Sequence, residues 1–292
     1  MSEDIRMNHK FAEILLCPSC GKSGLTRLQN QYICDLCKVK YSDYEGIPAV
    51  LTEDFRKDKY NKMIVLTDNR KHWKRQAVWG NQIDGIIPDG SGFFLDLACG
   101  GGRKDWIESK GYSYIGLDYY LDYGTNLLAN SMNIPFKDNT ISVCSSISAM
   151  EHFPDPWSAC NEIFRVIKPG GLYIGSVAFL QPFHERSYYH MTHLGVKYML
   201  KKSGFTIEQI IPFKKNGFSF LIERLLIIKQ PVSFLADLVF NAIMFLRKIG
   251  ARFISRFYRK NEAKSHRISQ FIAEEKIRFT SGFIYIARKP EK

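Results

Sequence analysis

The sequence predicts an α/β chain: a mostly parallel, doubly wound sheet, with a small cysteine-rich module ahead of it and a helical insertion before its last strand. Three observations carry this expectation. Phe93-Phe94-Leu95-Asp96-Leu97 is an apolar run of strand length that passes through Ala98 and Cys99 into the cluster Gly100-Gly101-Gly102 and then into residues of helical character, which reads as strand, tight turn and helix. Tyr112 to Leu117 repeats the strand pattern and ends at Asp118. Ahead of both, Cys17-Pro18-Ser19-Cys20 and Cys34-Asp35-Leu36-Cys37 form two C-x2-C knuckles.

Length and composition set the outer limits. A chain of 292 residues is long enough for about two domains. Hydrophobic and aromatic contents of 45% and 14% exclude a disordered chain. The net charge of +12 is unevenly placed: from Lys214 to Lys292 there are 17 Lys and Arg against 6 Asp and Glu. The basic character is therefore local and belongs to a partner surface rather than to the fold. Met1 to Lys10 is polar and has no apolar stretch of signal-peptide length, so a cytoplasmic location is expected.

In a reducing compartment the knuckle cysteines stay thiols, and two facing loops bring Cys17, Cys20, Cys34 and Cys37 onto one tetrahedral zinc ion. A site closed by four sulfurs leaves no position for water, so its role is folding rather than chemistry. Leu25, Leu28, Tyr32 and Ile33 read as a hairpin between the knuckles, and Tyr41 to Leu51 as its closing strand and exit. Leu16-Cys17-Pro18, the second knuckle and Gly46-Ile47-Pro48-Ala49-Val50-Leu51 resemble small zinc ribbons fused ahead of methyltransferase domains. That resemblance implies either a docking module, including around ribosomal and transfer RNA, or one that packs on its neighbour. The ribbon is assigned residues 1–52. Residues 53–92 are a linker with helices, in which Trp73 and Trp79 read as core anchors, ending in the turn Pro88-Asp89-Gly90-Ser91-Gly92. Cys99, Cys144 and Cys160 fall singly within elements and read as small buried residues.

The glycine turn suits a ligand that approaches bare backbone, with helix N-terminal amides aimed at a carboxylate or phosphate. Asp118, at the end of the second strand, can accept both hydrogen bonds of a ribose diol, as in nucleoside cofactor sites. Gly100-x-Gly102 lacks the third glycine of the dinucleotide fingerprint. Leu95-Asp96-Leu97-Ala98-Cys99-Gly100-Gly101-Gly102 is similar to the first motif of class I S-adenosylmethionine-dependent methyltransferases of type 11, with Ala98 where glycine is usual. Asn130-Ser131-Met132-Asn133-Ile134-Pro135-Phe136 resembles their adenine-side motif, with Asn130 in place of aspartate. Asp138-Asn139-Thr140-Ile141-Ser142, Glu151-His152-Phe153 and Arg165-Val166-Ile167-Lys168-Pro169-Gly170-Gly171 follow in the family's order. The resemblance implies a Rossmann-like seven-stranded methyltransferase sheet over residues 93–292. It implies S-adenosylmethionine as cofactor, held by Asp96, Ala98, Gly100, Gly102, Asp118, Asn130 and Met132. The carbonyl oxygen of Asn130 is expected to face the adenine amino group, with weakened binding.

Two departures bear on the substrate. Tyr119 to Gly124 is too short for the usual second helix, so a turn is expected there. Phe179-Leu180-Gln181-Pro182-Phe183-His184-Glu185 and Tyr188-Tyr189-His190-Met191-Thr192 resemble a subgroup often found with surface-polysaccharide and glycolipid genes. That subgroup carries Asp and Arg where this chain has Ser187 and His190. Holding acceptor and methyl group in line accounts for about 7 to 11 kcal/mol of barrier, and a base adds roughly 100- to 10,000-fold for a hydroxyl acceptor. His184 and His152 are the catalytic candidates, ahead of His190 and His193.

The insertion, 214–278, includes a nearly apolar stretch from Leu225 to Leu246 broken by Lys229, Pro231 and Asp237, which argues against a membrane span. From Phe234 onward a helix is expected, with Leu235, Leu238, Ala242, Phe245, Ile249 and Phe253 apolar and Lys248, Arg252, Arg256 and Arg259 on another face. The expected function is O-methylation of a glycan or glycolipid, with peripheral contact at the inner face of the membrane. An RNA methyltransferase docking through ribbon and basic helix, or a non-catalytic cofactor-binding partner protein, are the alternatives, and the helix could also serve as a lid or in a homodimer.

Overall fold

The computed structural model describes residues 10–44, 46–53, 83, 85–100, 103–181, 184, 186–214, 217, 221–222, 232–257, 267, 270, 274 and 277–291. Trp73, Trp79, Gly101, Gly102, Lys229, Pro231, Arg259 and the side chains of Asp237 and Arg256, all named in the sequence reading, lie outside the described residues.

The N-terminal module opens with a 3-10 turn, Lys10–Ile14, and then four short antiparallel strands: β1 (Leu25–Leu28), β2 (Gln31–Cys34), β3 (Lys40–Tyr44) and β4 (Ile47–Ala49). Within Tyr41 to Leu51, expected as the closing strand and exit, β3 closes the hairpin against β2 and the exit forms a further strand paired to it, Ser42 opposite Ala49. Gly46 adopts a positive φ of 89°, and its N–H is held by the Asp43 carboxylate, so the chain reverses there.

The larger part contains β5 (Phe93–Leu97), α1 (Lys104–Ser109), β6 (Ser113–Asp118), β7 (Leu127–Leu128), β8 (Ile141–Ile147), α2 (Pro156–Val166), β9 (Ile167–Ala178), α3 (His193–Lys202), β10 (Thr206–Pro212), α4 (Val232–Phe257) and β11 (Gly282–Arg288). Strand order is β1-β2-β3-β4-β7-β6-β5-β8-β9-β11-β10. The run from β7 to β9 is parallel, and β11 is antiparallel to both neighbours. The sheet thus has eleven strands rather than the seven expected. Seven follow the doubly wound order, and the N-terminal strands continue the same sheet through Ala49 opposite Leu128. The Val50 N–H donates to the Leu128 carbonyl at 2.8 Å. Without that contact β7 would be an open edge with unpaired backbone groups.

Parallel strands covered on both faces read as continuous apolar runs, as β5 and β6 do. α2 starts because the Asp155 carboxylate accepts the Ser158 N–H at 3.0 Å and Pro156 fits the first turn. It buries Ala159, Cys160, Ile163 and Val166, one helical face.

After β6 the short crossover is a turn, as its length required. Gly116 makes this possible, since a Cβ there would collide with the Gly124 carbonyl. Asn126 fastens the loop in place of a helix: its Oδ1 accepts the Gly116 N–H at 2.9 Å and its amide donates to the Tyr114 carbonyl at 3.2 Å. α4 meets the body through Phe240 packed edge-on against Phe279, with Arg247 over the same ring. Phe234, Leu235, Leu238, Phe245, Leu246 and Phe253 are exposed, Phe234 by 72%. No described helix is long and apolar enough to cross a membrane.

Gly116→Ala should therefore lower stability by about 1 to 3 kcal/mol through overpacking. The check is the urea midpoint at unchanged slope.

Candidate functional site

Because β5, β6, β8 and β9 run parallel, their carboxyl ends share one edge of the sheet, and each delivers a polar group there. β5 runs into Ala98 and Gly100, both left-handed at φ 53° and 49°. For alanine that conformation costs about 1 to 2 kcal/mol, which is why glycine usually stands there. The loop is held by the Leu117 carbonyl, which accepts the Ala98 N–H at 2.8 Å. Among the described residues nothing lies within 4 Å of a Cβ built on Gly100, so on that side the turn is open.

Asp118 ends β6 and reaches across to this turn. Its Oδ2 accepts the Gly100 N–H at 3.1 Å, and its Oδ1 accepts those of Tyr119 and Tyr120 at 2.6 and 3.2 Å. Burial raises its pKa, opposed by the three backbone donors. The short crossover also bonds to the turn, from the Gly124 N–H to the Gly100 carbonyl at 3.3 Å.

Asp96 sits one layer deeper. Its carboxylate accepts the Ser145 hydroxyl at 2.5 Å and the Tyr114 hydroxyl at 3.3 Å, tying β5 to β8 and β6. Burial pushes the carboxyl up to about 6, against the pull of Ser145 and Arg103. Asp96 thus braces the loop from within the sheet.

Asn130 departs from the expectation that its oxygen meets an adenine amino group. The oxygen accepts the Met132 N–H at 2.9 Å and the Tyr119 hydroxyl at 3.1 Å. Asparagine commonly caps a turn this way through its own backbone two residues on. An aspartate would keep a second oxygen for a ligand, whereas asparagine has only amide donors left.

The two histidines are brought together. His152 closes the 3-10 turn Met150–His152 after β8, His184 lies in the loop after β9, and their ring centroids are 5.2 Å apart. Behind them stands Glu151, fully buried at 0% exposure. Its Oε1 accepts the Ala178 N–H at 3.1 Å and lies 3.6 Å from His184 Nε2. Its backbone carbonyl accepts the N–H groups of Tyr188 and Tyr189, fixing the loop that carries the later histidines. Ser187 and His190 bond to each other at 2.9 Å. Burial and the neighbouring His184 lower the pKa of His190. His193 starts α3 against Phe283, away from this cluster's contacts. Sequence reasoning passed over Glu151, although an acid beside a histidine just past a strand was a visible signal.

The knuckle cysteines also converge, with Cys17 to Cys37 Sγ 3.6 Å and Cys20 to Cys34 Sγ 3.7 Å apart. Four sulfurs at about 2.3 Å from one tetrahedral ion would stand about 3.8 Å apart, so the set fits such an ion and is too open for disulfides. Burial raises the Cys34 thiol, but backbone donors from Cys37 and Leu36 together with the neighbouring Cys37 and Cys20 thiols bring it down to about 6. The module docks on the loop that follows Asn130: the Leu16 N–H donates to Pro135 and the Lys137 N–H to Ile14, both at 2.9 Å. The Asn133 amide reaches the Pro18 carbonyl, beside Cys17, at 3.3 Å.

A family model described as a methyltransferase domain matches residues 95–175. An uncharacterised methyltransferase of Mycobacterium sp. strain KMS is 41% identical over 70 residues, 23% of this chain and 28% of its own length. One of Mycobacterium leprae strain Br4923 is 41% identical over 70 residues, 23% and 26%. The chain thus spans about a quarter of the length of the curated relatives it matches. Among solved structures, Haemonchus contortus phosphoethanolamine N-methyltransferase 2 with S-adenosyl-L-methionine has a TM-score of 0.46 at 15% identity, over 81% of this chain and 59% of that one.

The buried Asp96 gives a pH test. Its folded pKa of about 6 lies above the unfolded value of about 3.9, so the folded state binds the extra proton between them. Asp96's contribution is full below about pH 4 and is lost as pH rises through about 6. Relative to the parent, Asp96→Asn should gain stability between pH 4 and 7 by up to about 3 kcal/mol. Denaturation midpoints of both proteins across that range check it.

Proposed function

From the methyltransferase domain that residues 95–175 form, we propose that the chain transfers a methyl group from S-adenosylmethionine to a hydroxyl of a glycan or glycolipid. The observation that carries the reading is the shared edge: an open glycine turn tied to Asp118 on one side, and Glu151 with two histidines on the other. The residues fit the cofactor. Gly100 leaves room for close approach, Asp118 Oδ2, which among the described residues accepts only the Gly100 N–H, keeps a lone pair for a ribose hydroxyl, and Met132 packs against the core beside Asn130. Asn130 meets the adenine through amide donors, so it is read toward a ring nitrogen. Ala98 completes the turn and Asp96 holds it from below, and Gly102, outside the described residues, is assigned to the cofactor from its place in the motif.

S-adenosylmethionine supplies an electrophilic methyl group on a sulfonium. The acceptor oxygen forms the new C–O bond as the S–C bond breaks, its electron pair staying on sulfur, and the hydroxyl proton must leave. The Glu151, His152 and His184 cluster is the group of residues placed to remove it. The acceptor class is supported by the likeness of the Phe179 to Thr192 segment to the glycolipid-associated subgroup. It is also supported by α4, whose exposed apolar side chains lie on the same helix as Lys248 and Arg252. Such a helix can rest on an anionic lipid surface, at the inner face of the membrane. The four cysteines are read as a structural zinc site, residues 1–52 as the ribbon and 53–92 as the linker to a catalytic part, 93–292.

Incubating the protein with methyl-labelled S-adenosylmethionine and separated lipid, glycan, RNA and protein fractions tests the reading. Label in lipid or glycan is expected, and label confined to RNA would replace it with the docking-module reading. His184→Ala should cut turnover by about 100- to 10,000-fold while leaving cofactor affinity within a few-fold. Because the ribbon holds the loop after Asn130, Cys34→Ser or chelation of its metal should weaken cofactor binding about tenfold, or ~1.4 kcal/mol, measured by calorimetry.

A further inference from the structure

We propose that Glu151, His152 and His184 bind a divalent transition-metal ion. The donor atoms of these three side chains lie within 4.8 Å of one another. Among the described residues their arrangement also leaves two buried polar atoms without a hydrogen-bond partner, Glu151 Oε2 and His184 Nε2. Glu151 has no solvent exposure, and its ion-pair partner among the described residues is His184, at 3.6 Å. A buried acceptor left unmatched is costly, more so when charged. A single cation supplies what both atoms lack, and His152, 5.2 Å from His184 ring to ring, supplies the third donor.

Chemistry narrows the ion. Two imidazole nitrogens and one carboxylate suit zinc, manganese, iron or cobalt rather than calcium or magnesium, which prefer oxygen. Side-chain rotation must close the donors to about 2.0 to 2.2 Å from the ion. The scaffold permits this, because Glu151 is fixed by the Ala178 N–H while His152 and His184 are only partly buried. Three protein ligands leave an open position, unlike the closed four-cysteine site. In the methyl-transfer reading, on which only this last step rests, the acceptor hydroxyl takes that position. There the ion would lower the pKa of the hydroxyl, so that the cluster assigned to proton removal acts through the ion it holds.

The test is metal counting on the full chain. Protein stripped with a chelator and dialysed against cobalt(II) is assayed for cobalt per chain, with thiolate charge-transfer bands reporting the cysteine site separately. The parent is expected to hold one ion more than Glu151→Gln and than His184→Asn, with thiolate bands and circular dichroism unchanged in both variants. The two substitutions are independent, so a folding defect in the buried Glu151→Gln leaves His184→Asn to decide. Equal cobalt in parent and folded variants, or a parent whose only cobalt is thiolate-bound, overturns the site. Methyl transfer by a protein lacking this ion would overturn the ion's part in proton release while leaving the proposed function intact. An ion bound by a protein that methylates nothing would uphold the site and remove only the acceptor.

Discussion

Parallel pairing on both sides of β5 is the constraint on which the rest of the molecule depends. Phe93 to Leu97 pairs with Ser113 to Leu117 on one side and with β8 on the other, in nearly unbroken register. Parallel register brings every carboxyl end to the same edge, so groups more than fifty residues apart in the chain meet there. The Ala98 to Gly100 turn, Asp118 and Glu151 are neighbours because of the sheet rather than because of their own affinities. Asp96 reinforces the arrangement by bonding to the strands on either side. That brace is placed where backbone amides have already been used for pairing, so a side chain must supply the link.

Economy of chain at the second crossover has a structural consequence. With no helix after β6, the loop lies flat on the sheet, with Gly116 giving it room and Asn126 serving as its fastening. The exposed edge at β7 is only two residues long and is covered by the N-terminal module. The module therefore does two things at once. It extends the sheet beyond its natural edge, and through Leu16, Pro18 and Ile14 it grips the loop that leaves Asn130. The four converging cysteines lie at the module's end of that contact and the loop after Asn130 at the other.

Charge is distributed by depth. Buried carboxylates at Asp96, Asp118 and Glu151 line the sheet edge, while the basic excess lies in the C-terminal third of the chain. Buried acids need donors, and each finds them differently: Asp96 in hydroxyls, Asp118 in backbone amides, Glu151 in one amide, with the His184 imidazole 3.6 Å away. Glu151 is the least completely matched of the three, with one oxygen lacking a hydrogen-bond partner among the described residues. This separates it from the two that serve the turn.

The sequence by itself determined much of this protein. The runs ending in Asp96-Leu97 and at Asp118, the absent crossover helix, the paired knuckles and the long helix from Phe234 onward were all legible, because they depend on local periodicity, spacing and length. Tertiary structure alone decided the rest. Seven expected strands became eleven because edge pairing between Ala49 and Leu128 is a contact between distant segments, with no local signature. The oxygen of Asn130 turned inward because its orientation depends on Met132 and Tyr119, and Asp96 became a brace because Ser145 and Tyr114 reach it from neighbouring strands. Glu151 beside His152 was visible in the sequence, but its burial and its oxygen with no hydrogen-bond partner among the described residues are properties of the fold, because composition and spacing say nothing about which polar atoms lose their water.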